Sequence, residues 1–161
     1  MVPGTDSSPR EVTAKHPKLV KALERLSSAD LGSACAAPAP PELIKAMHEF
    51  NTGEFFEQHE TLELLWRATP DEIRHLYEGI LQIGVGMHHL LVKRNFHGAT
   101  VKIDHGIRLL EAFPAVCHGV DIDRLRRDAT VARTHLLELG PQHLEAFDPR
   151  WIPRVHLAGE A

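Results

Sequence analysis

The chain has 161 residues, of which 43% are hydrophobic and 25% charged, and its formal net charge is −4. This length suffices for one hydrophobic core but not for two full domains. A small negative charge excludes the excess of Lys and Arg that holds a polyanion, so we expect no nucleic acid among its partners.

The cysteines and the apolar segments indicate in which cellular compartment the protein is expected. Cys35 and Cys117 lie far apart and no further thiol accompanies them, which favours free thiols over a disulfide framework or a Cys-rich zinc site. No stretch approaches the roughly 18 apolar residues that span a bilayer, and no basic patch followed by an apolar run begins the chain. The sequence therefore predicts a cytoplasmic protein without a membrane partner.

Residues 1–40 are rich in Ser, Pro and Ala. The prolines within residues 36–41 cannot continue a helix, because proline lacks the N–H group and clashes with the preceding turn. Ahead of this linker, apolar residues at helical spacing predict one short helix over residues 17–26. We expect residues 1–40 to form an accessory N-terminal segment.

From residue 41 onward, apolar residues recur every three or four positions, and no alternating run is long enough to predict a strand. Prolines, glycines and charged residues interrupt this pattern at intervals, in the arrangement that is typical of helix ends. They predict five helices, over residues 41–51, 54–67, 71–93, 96–113 and 122–139. Asp121 is the expected cap of the fifth helix and Gly140 its stop.

The fold class that follows is all-α. We expect a compact bundle of about five helices over residues 41–140, with a proline-rich N-terminal extension. Residues 141–161 hold Trp151 and Ile152 between prolines, which predicts an extended C-terminal strap over the bundle. The third helix is apolar nearly all round, so either its own bundle or a second copy covers it, and the sequence does not choose between a monomer and a homo-oligomer.

Polar residues on the second helix fall beside its apolar stripe. At about 100° per residue, Phe55, Leu62 and Trp66 share one narrow stripe. His59 falls inside this stripe and Glu63 at its edge. Burying either group without a partner would be costly. We therefore expect both to face the core and to be satisfied by each other or by a shared ion.

The third helix repeats this arrangement. Gln82 and His89, two turns apart, share one side with Gly79 and Gly86, whereas His88 leans toward the apolar face. Glycine costs a helix about 1 kcal/mol relative to alanine. These glycines therefore predict the close approach of another helix or of a ligand.

Residues 50–67, FNTGEFFEQHETLELLWR, resemble the signature of the domain of unknown function 309 family. Further matches follow in the family's order: residues 77–82 (YEGILQ), the pair His88-His89, Asn95 with Gly98 and Ala99, and residues 119–122 (GVDI). The resemblance covers about residues 42–125 and implies a small helical bundle without implying an activity. The resemblance places eight residues at the family's motif positions: His59, Glu60, Glu63, Trp66, Gln82, His88, His89 and Asn95. Arg94 departs from the family, where glycine is usual.

Packing is the function class that the sequence favours. His59, Glu63, Gln82 and one of the paired histidines would form a buried hydrogen-bond network. Such a network would fix how the second, third and fourth helices pack against one another.

A metal-dependent hydrolase is a second class, because residues 59–63 resemble the motif His-Glu-x-x-His with Glu in the last place. His59 and Glu63, with His89 or His88, would hold a divalent metal such as zinc and leave a position open for water. Glu60 would then be the catalytic base. The missing second histidine weakens this interpretation.

Two further chemistries use the same residues. His59 and Glu63 could act as an acid–base pair without a metal, with Gln82 orienting the substrate. A carboxylate-bridged di-iron site is disfavoured, because it requires two Glu-x-x-His motifs and only residues 72–75 carry one.

The third class is a binding module. A pocket lined by Trp66, Tyr77 and Met87 would hold a small molecule, or the amphipathic helices would hold a partner protein. The remaining histidines are expected to face solvent and receive no role: His97, His105, His135 and His143. The sequence identifies neither the ligand nor an enzymatic reaction.

Overall fold

The computed structural model of the protein describes residues 16–160, and this part of the chain is about 68% helical. Seven α-helices are present in it, together with a single hairpin of two very short strands. The predicted all-α class is therefore confirmed.

The helices are α1 (Pro17–Ser27), α2 (Gly32–Ala36), α3 (Pro41–Asn51), α4 (Phe55–Ala68), α5 (Arg74–Leu91), α6 (Phe96–Leu110) and α7 (Ile122–Leu139). Strands β1 (Val116–Cys117) and β2 (Val120–Asp121) pair antiparallel between α6 and α7. Helices α3 to α7 are the five predicted helices. As predicted, the Asp121 side chain caps α7, and Gly140 ends it with a φ of 74°.

Helices α5 and α6 are shorter than predicted because tight turns replace their first or last residues. Before α5, the N–H groups of Arg74, His75 and Leu76 donate to carbonyls only three residues back. After α6, the N–H groups of Ala112 and Phe113 do the same. This spacing is that of a 3₁₀ turn, which often begins or ends an α-helix.

Arg94 makes the turn between α5 and α6. Its φ of 54° lies in the left-handed region, which favours glycine. The next residue, Asn95, caps α6 by accepting a hydrogen bond from the Gly98 N–H at 2.9 Å. Arg94, which stands where glycine is usual in the family, thus still makes the turn. It does so in a backbone conformation that glycine would adopt without strain.

Consecutive helices from α3 to α7 are neighbours, and α5 and α6 make the most extensive contact. Their backbones approach closely at glycines: a Cβ added to Gly106 would lie 2.6 Å from the Gly79 carbonyl oxygen. The close approach predicted from the glycines is thus a helix–helix contact. The largest fully buried side chains belong to this bundle: Leu43, Phe50, Leu62, Leu76, Ile80, Ile83, Met87, Leu90, Ile103, Leu109, Leu110 and Ile122. Across residues 16–160 no helix is long and apolar enough to cross a membrane.

Cys35 and Cys117 form a disulfide with a Cα–Cα distance of 4.2 Å, so the prediction of free thiols was wrong. Their separation of 82 residues along the sequence carries no information about their separation in space. Helix α2 lies against β1, and this contact brings the two side chains together.

The segment after α7 crosses the bundle through two 3₁₀ turns, Leu144–Ala146 and Pro149–Trp151, and then runs extended. The Asn51 side chain at the end of α3 exchanges two hydrogen bonds with the backbone of Val155, at 2.7 and 2.8 Å. Trp151 stacks on His135 of α7 with ring centroids 3.8 Å apart. His135 was expected to face solvent, but this stacking leaves it only partly exposed.

Candidate functional site

The polar residues predicted to face the core from α4 do not do so. The buried stripe of α4 consists of Phe55, Gln58, Leu62 and Leu65. At 100° per residue it is rotated by about 40° from the predicted stripe, because the prediction included Trp66, which is only partly buried, and left out Gln58 and Leu65. The side chains of His59 and Glu63 remain 37% and 36% exposed. Their predicted inward placement was wrong.

Gln58 is the buried polar residue of α4, with no exposed surface. It packs against Gly84 of α5, where an added Cβ would lie 2.6 Å from the side-chain amide. In the orientation that gives both the amide nitrogen and the amide oxygen a partner, Gln58 donates to the Ile80 carbonyl at 3.2 Å and accepts from the His59 backbone N–H at 2.9 Å. Gln58 thus makes the kind of interhelical hydrogen bond expected of His59.

His59, Glu63 and His88 lie around Phe56 on the outer surface of α4 and α5. His59 Nε2 is 3.5 Å from Glu63 Oε2, and Glu63 Oε1 accepts a hydrogen bond from Arg67 at 2.7 Å. The Phe56 ring is 55% exposed, with centroid distances of 6.4 Å to His59 and 6.1 Å to His88.

Among the proposed zinc ligands, His89 lies apart from His59 and Glu63. The His89 ring packs over the start of α6, where a Cβ added to Gly98 would lie 2.9 Å from its Nδ1. His59 and Glu63, in contrast, pair on the outer surface of α4, and Glu60 is exposed. No group of three or more His, Cys, Asp or Glu residues within 16–160 is arranged to hold a metal ion. These residues therefore do not fit a zinc site with Glu60 as its base.

The pocket expected between Trp66, Tyr77 and Met87 is not formed either. Met87 has no exposed surface and Tyr77 is 2% exposed, so both are core residues. Trp66 lies beneath the Arg74 guanidinium, whose central carbon is 5.6 Å from the ring centroid.

Tyr77 belongs to a buried polar group that links α5 to the hairpin. Its hydroxyl lies 2.9 Å from His118 Nε2, and His118 Nδ1 lies 2.9 Å from the Ala37 carbonyl oxygen. Because a carbonyl only accepts, Nδ1 carries the proton and the Tyr77 hydroxyl donates to Nε2. Burial raises the pKa of Tyr77 to about 12, with the Glu42 carboxylate as a lesser cause.

Gln82 lies elsewhere, in a cavity of about 340 Å³ between α1, α5 and α6, which we call the interhelical cleft. Each helix contributes polar residues to its lining: His16 and Lys18 at α1, Glu78 and Gln82 on α5, Lys102 and His105 on α6. Glu78 and Gln82 are four residues apart, and Lys102 and His105 are three apart. Each pair therefore shares one face of its helix.

The interhelical cleft carries more positive than negative charge. Its carboxylate, that of Glu78, already accepts a hydrogen bond from His75 Nδ1 at 2.8 Å. Lys18 and Lys102 form no ion pair within residues 16–160, and the Gln82 amide forms no hydrogen bond there. The cleft therefore holds two ammonium groups and an amide that the described chain leaves unpartnered.

His105 is the residue of this cleft that the sequence did not identify. Burial lowers its pKa to about 4, and the charges of His16 and Lys102 act in the same direction. Its Nε2 is buried without a hydrogen-bond partner in the described chain, and its ring meets that of His16 edge to face at 4.3 Å. The expectation that His105 faces solvent was wrong. The helical spacing of Lys102, His105 and Leu109 is the signal that could have identified this face.

His89 and Asn95 serve the connection between α5 and α6. Burial lowers the pKa of His89, with Lys102, His88 and Lys93 adding smaller effects. Asn95 is the cap of α6, and its own N–H donates to the His89 carbonyl at 2.8 Å. The eight motif residues thus occupy separate places: the outer surface, the helix connection and the interhelical cleft.

Comparison with protein families identifies a match. A family model described as "Domain of unknown function (DUF309)" matches residues 43–101, from α3 to the first residues of α6. The match confirms the resemblance predicted from the motifs within residues 43–101, and the predicted similarity at residues 119–122 lies outside it. Among curated proteins, none matches the chain.

Proposed function

We propose that the protein is a binding module and that the interhelical cleft is its site for a small anionic molecule. The description of the family whose model matches residues 43–101 names no activity, so the proposal is argued from the geometry of the cleft.

The size of the cleft supports this proposal. Its volume of about 340 Å³ falls within the roughly 300–1,000 Å³ of ligand pockets. A water molecule takes about 30 Å³ of liquid, so the cleft has room for a small metabolite but not for a peptide helix.

The unpartnered polar groups are the observation that carries the proposal. The ammonium groups of Lys102 and Lys18 attract an anion, and the Gln82 amide can donate to it or accept from it. His105 is neutral near pH 7, because its pKa is about 4, so it offers a hydrogen bond without adding charge. A ligand with a carboxylate or phosphate and one further polar group satisfies all of them.

Specific contacts favour a packing role for Gln58 and for two of the motif residues, Asn95 and His89. Gln58 fills the space over Gly84, and Asn95 caps α6. The His89 ring covers Gly98. We do not propose metal-dependent hydrolysis, because no group of three or more potential ligands within residues 16–160 is arranged to hold a metal ion.

Thermal unfolding tests the proposal. The protein is titrated with inorganic phosphate, with citrate and with KCl, at matched ionic strength. We expect phosphate or citrate, but not KCl, to raise Tm in a saturable way, since binding to the folded state at ten times Kd stabilises it by about 1.4 kcal/mol.

Variants then locate the effect. Lys102→Gln should abolish the rise in Tm, whereas Lys45→Gln, on an exposed position of α3, should leave it unchanged. An equal rise in both variants, or no rise in the unmodified protein with either anion, would contradict the proposal.

A further inference from the structure

Residues 16–37, which we call the N-terminal arm, supply one wall of the interhelical cleft. The arm contains α1 and α2, and His16 and Lys18 line the cavity from it. The chain then passes through Pro38 and Pro40 before α3 begins at Pro41. Whatever fastens the arm to the bundle therefore also decides whether the cleft has this wall.

The polar links of the arm converge on two consecutive residues. Within residues 16–160, both hydrogen bonds from the bundle to the arm come from His118. Its N–H donates to the Cys35 carbonyl at 2.7 Å, and its Nδ1 donates to the Ala37 carbonyl at 2.9 Å. The preceding residue, Cys117, holds Cys35 through the disulfide.

Apart from these links, the described chain holds α1 mainly by apolar packing. Leu19, Ala22 and Leu26 are buried, and Val20 and Leu23 pack against the core while partly buried. A helix of this length is marginal in water when isolated. Helix α1 therefore depends on being kept against α6.

We propose that the Cys35–Cys117 disulfide is the clasp that keeps the N-terminal arm seated, so that the interhelical cleft is complete only in the oxidised chain. That the disulfide seats the arm does not depend on the proposed function. That it thereby completes a ligand site rests on the proposed function. A dithiol that reduces the clasp transfers two electrons and two protons to the cysteine sulfurs and closes into its own disulfide.

Burial should make the disulfide slow to reduce. Cys35 is 7% exposed and Cys117 is fully buried, and thiol–disulfide exchange requires access to a sulfur atom. A dithiol reaches the bond only when a local opening exposes one of the sulfur atoms. At high dithiothreitol concentration the rate of reduction should therefore stop rising with concentration, because this local opening limits it.

Amide hydrogen exchange tests the clasp. It is measured by mass spectrometry on the oxidised protein, on the protein reduced with dithiothreitol, and on the Cys35→Ser/Cys117→Ser variant. We expect exchange in α1 to be at least tenfold faster in the reduced protein and in the variant, with α5 unchanged. Adding dithiothreitol to the variant is the matched control and should alter nothing.

The outcomes separate the two proposals. Unchanged protection of α1 after reduction overturns the clasp, and so does an equal loss of protection in α5, which would mean general loosening. Faster exchange in α1 with saturable phosphate binding only in the oxidised protein supports both proposals. If α1 exchanges faster but the oxidised protein binds neither phosphate nor citrate, the clasp stands and the proposed function fails.

Discussion

Gly106→Ala would test how closely α5 and α6 pack. The added Cβ would lie 2.6 Å from the Gly79 carbonyl oxygen and 2.6 Å from Ile83 Cγ1, whereas ordinary contacts begin at 3.4 Å. The carbonyl belongs to the backbone of α5, so it cannot rotate away, and the helices must move apart.

Two effects of opposite sign decide how much Gly106→Ala changes the free energy of unfolding. Alanine favours a helix over glycine by about 1 kcal/mol, and forcing an extra methyl group into a packed interior costs about 1–3 kcal/mol. Because the clash is with backbone, we take the upper part of this range and expect a net loss of about 1–2 kcal/mol in the free energy of unfolding. The cleft residues on α5 and α6 should also move apart, so anion binding should weaken.

Urea denaturation followed by far-ultraviolet circular dichroism measures this loss as a lower midpoint at unchanged slope. Gly32→Ala is the matched control, because its Cβ would meet only Asp30 Oδ1, at 3.4 Å. It should be neutral or slightly stabilising. A Gly106→Ala protein as stable as the unmodified one would refute the reasoning.

Asn95→Ala should lower the free energy of unfolding by about 1 kcal/mol through loss of the α6 cap, and Asn95→Asp, which keeps the acceptor, should lose less by the same urea assay. Arg94→Gly should raise it by about 1 kcal/mol, because glycine adopts the left-handed conformation without strain; an unchanged midpoint would argue against strain there. His105 has a folded-state pKa of about 4, against an ordinary value of 6.5. The unfolded chain therefore binds more protons between these values, and stability should fall as pH falls through this window. Urea midpoints across the window should fall less steeply for His105→Gln, and an identical slope would count against the buried neutral imidazole.

The sequence predicts helices α3 and α7 well because their end signals are local. Pro41 begins α3, and Asp121 caps α7 through a hydrogen bond to a residue three positions on. The face of α4 could not be predicted in the same way. Hydrophobicity places Trp66 inside and Gln58 outside, but the space that Gln58 occupies is created by Gly84 on another helix.

The candidate site shows the same limit. Gln82 was identified from its own helix, together with the side of the helix that it shares. Lys102 and His105 join it only because α6 packs on α5, and His16 only because α1 packs on α6. The disulfide is equally nonlocal. Periodicity describes which face of a helix is apolar, but it does not tell which other helix that face meets.

The N-terminal arm and the segment after α7 are held to the bundle by contacts between residues much farther apart in sequence than those that join α5 to α6. Helices α5 and α6 are joined by a short turn, whereas Cys35 pairs with a residue 82 positions later and Asn51 bonds one 104 positions later. Contacts between near neighbours in sequence form fastest. We therefore expect the central helices to assemble first during synthesis, before the N-terminal arm and the segment after α7 are attached. The N-terminal arm, although made before the bundle, would be among the last of the described segments to reach its final position.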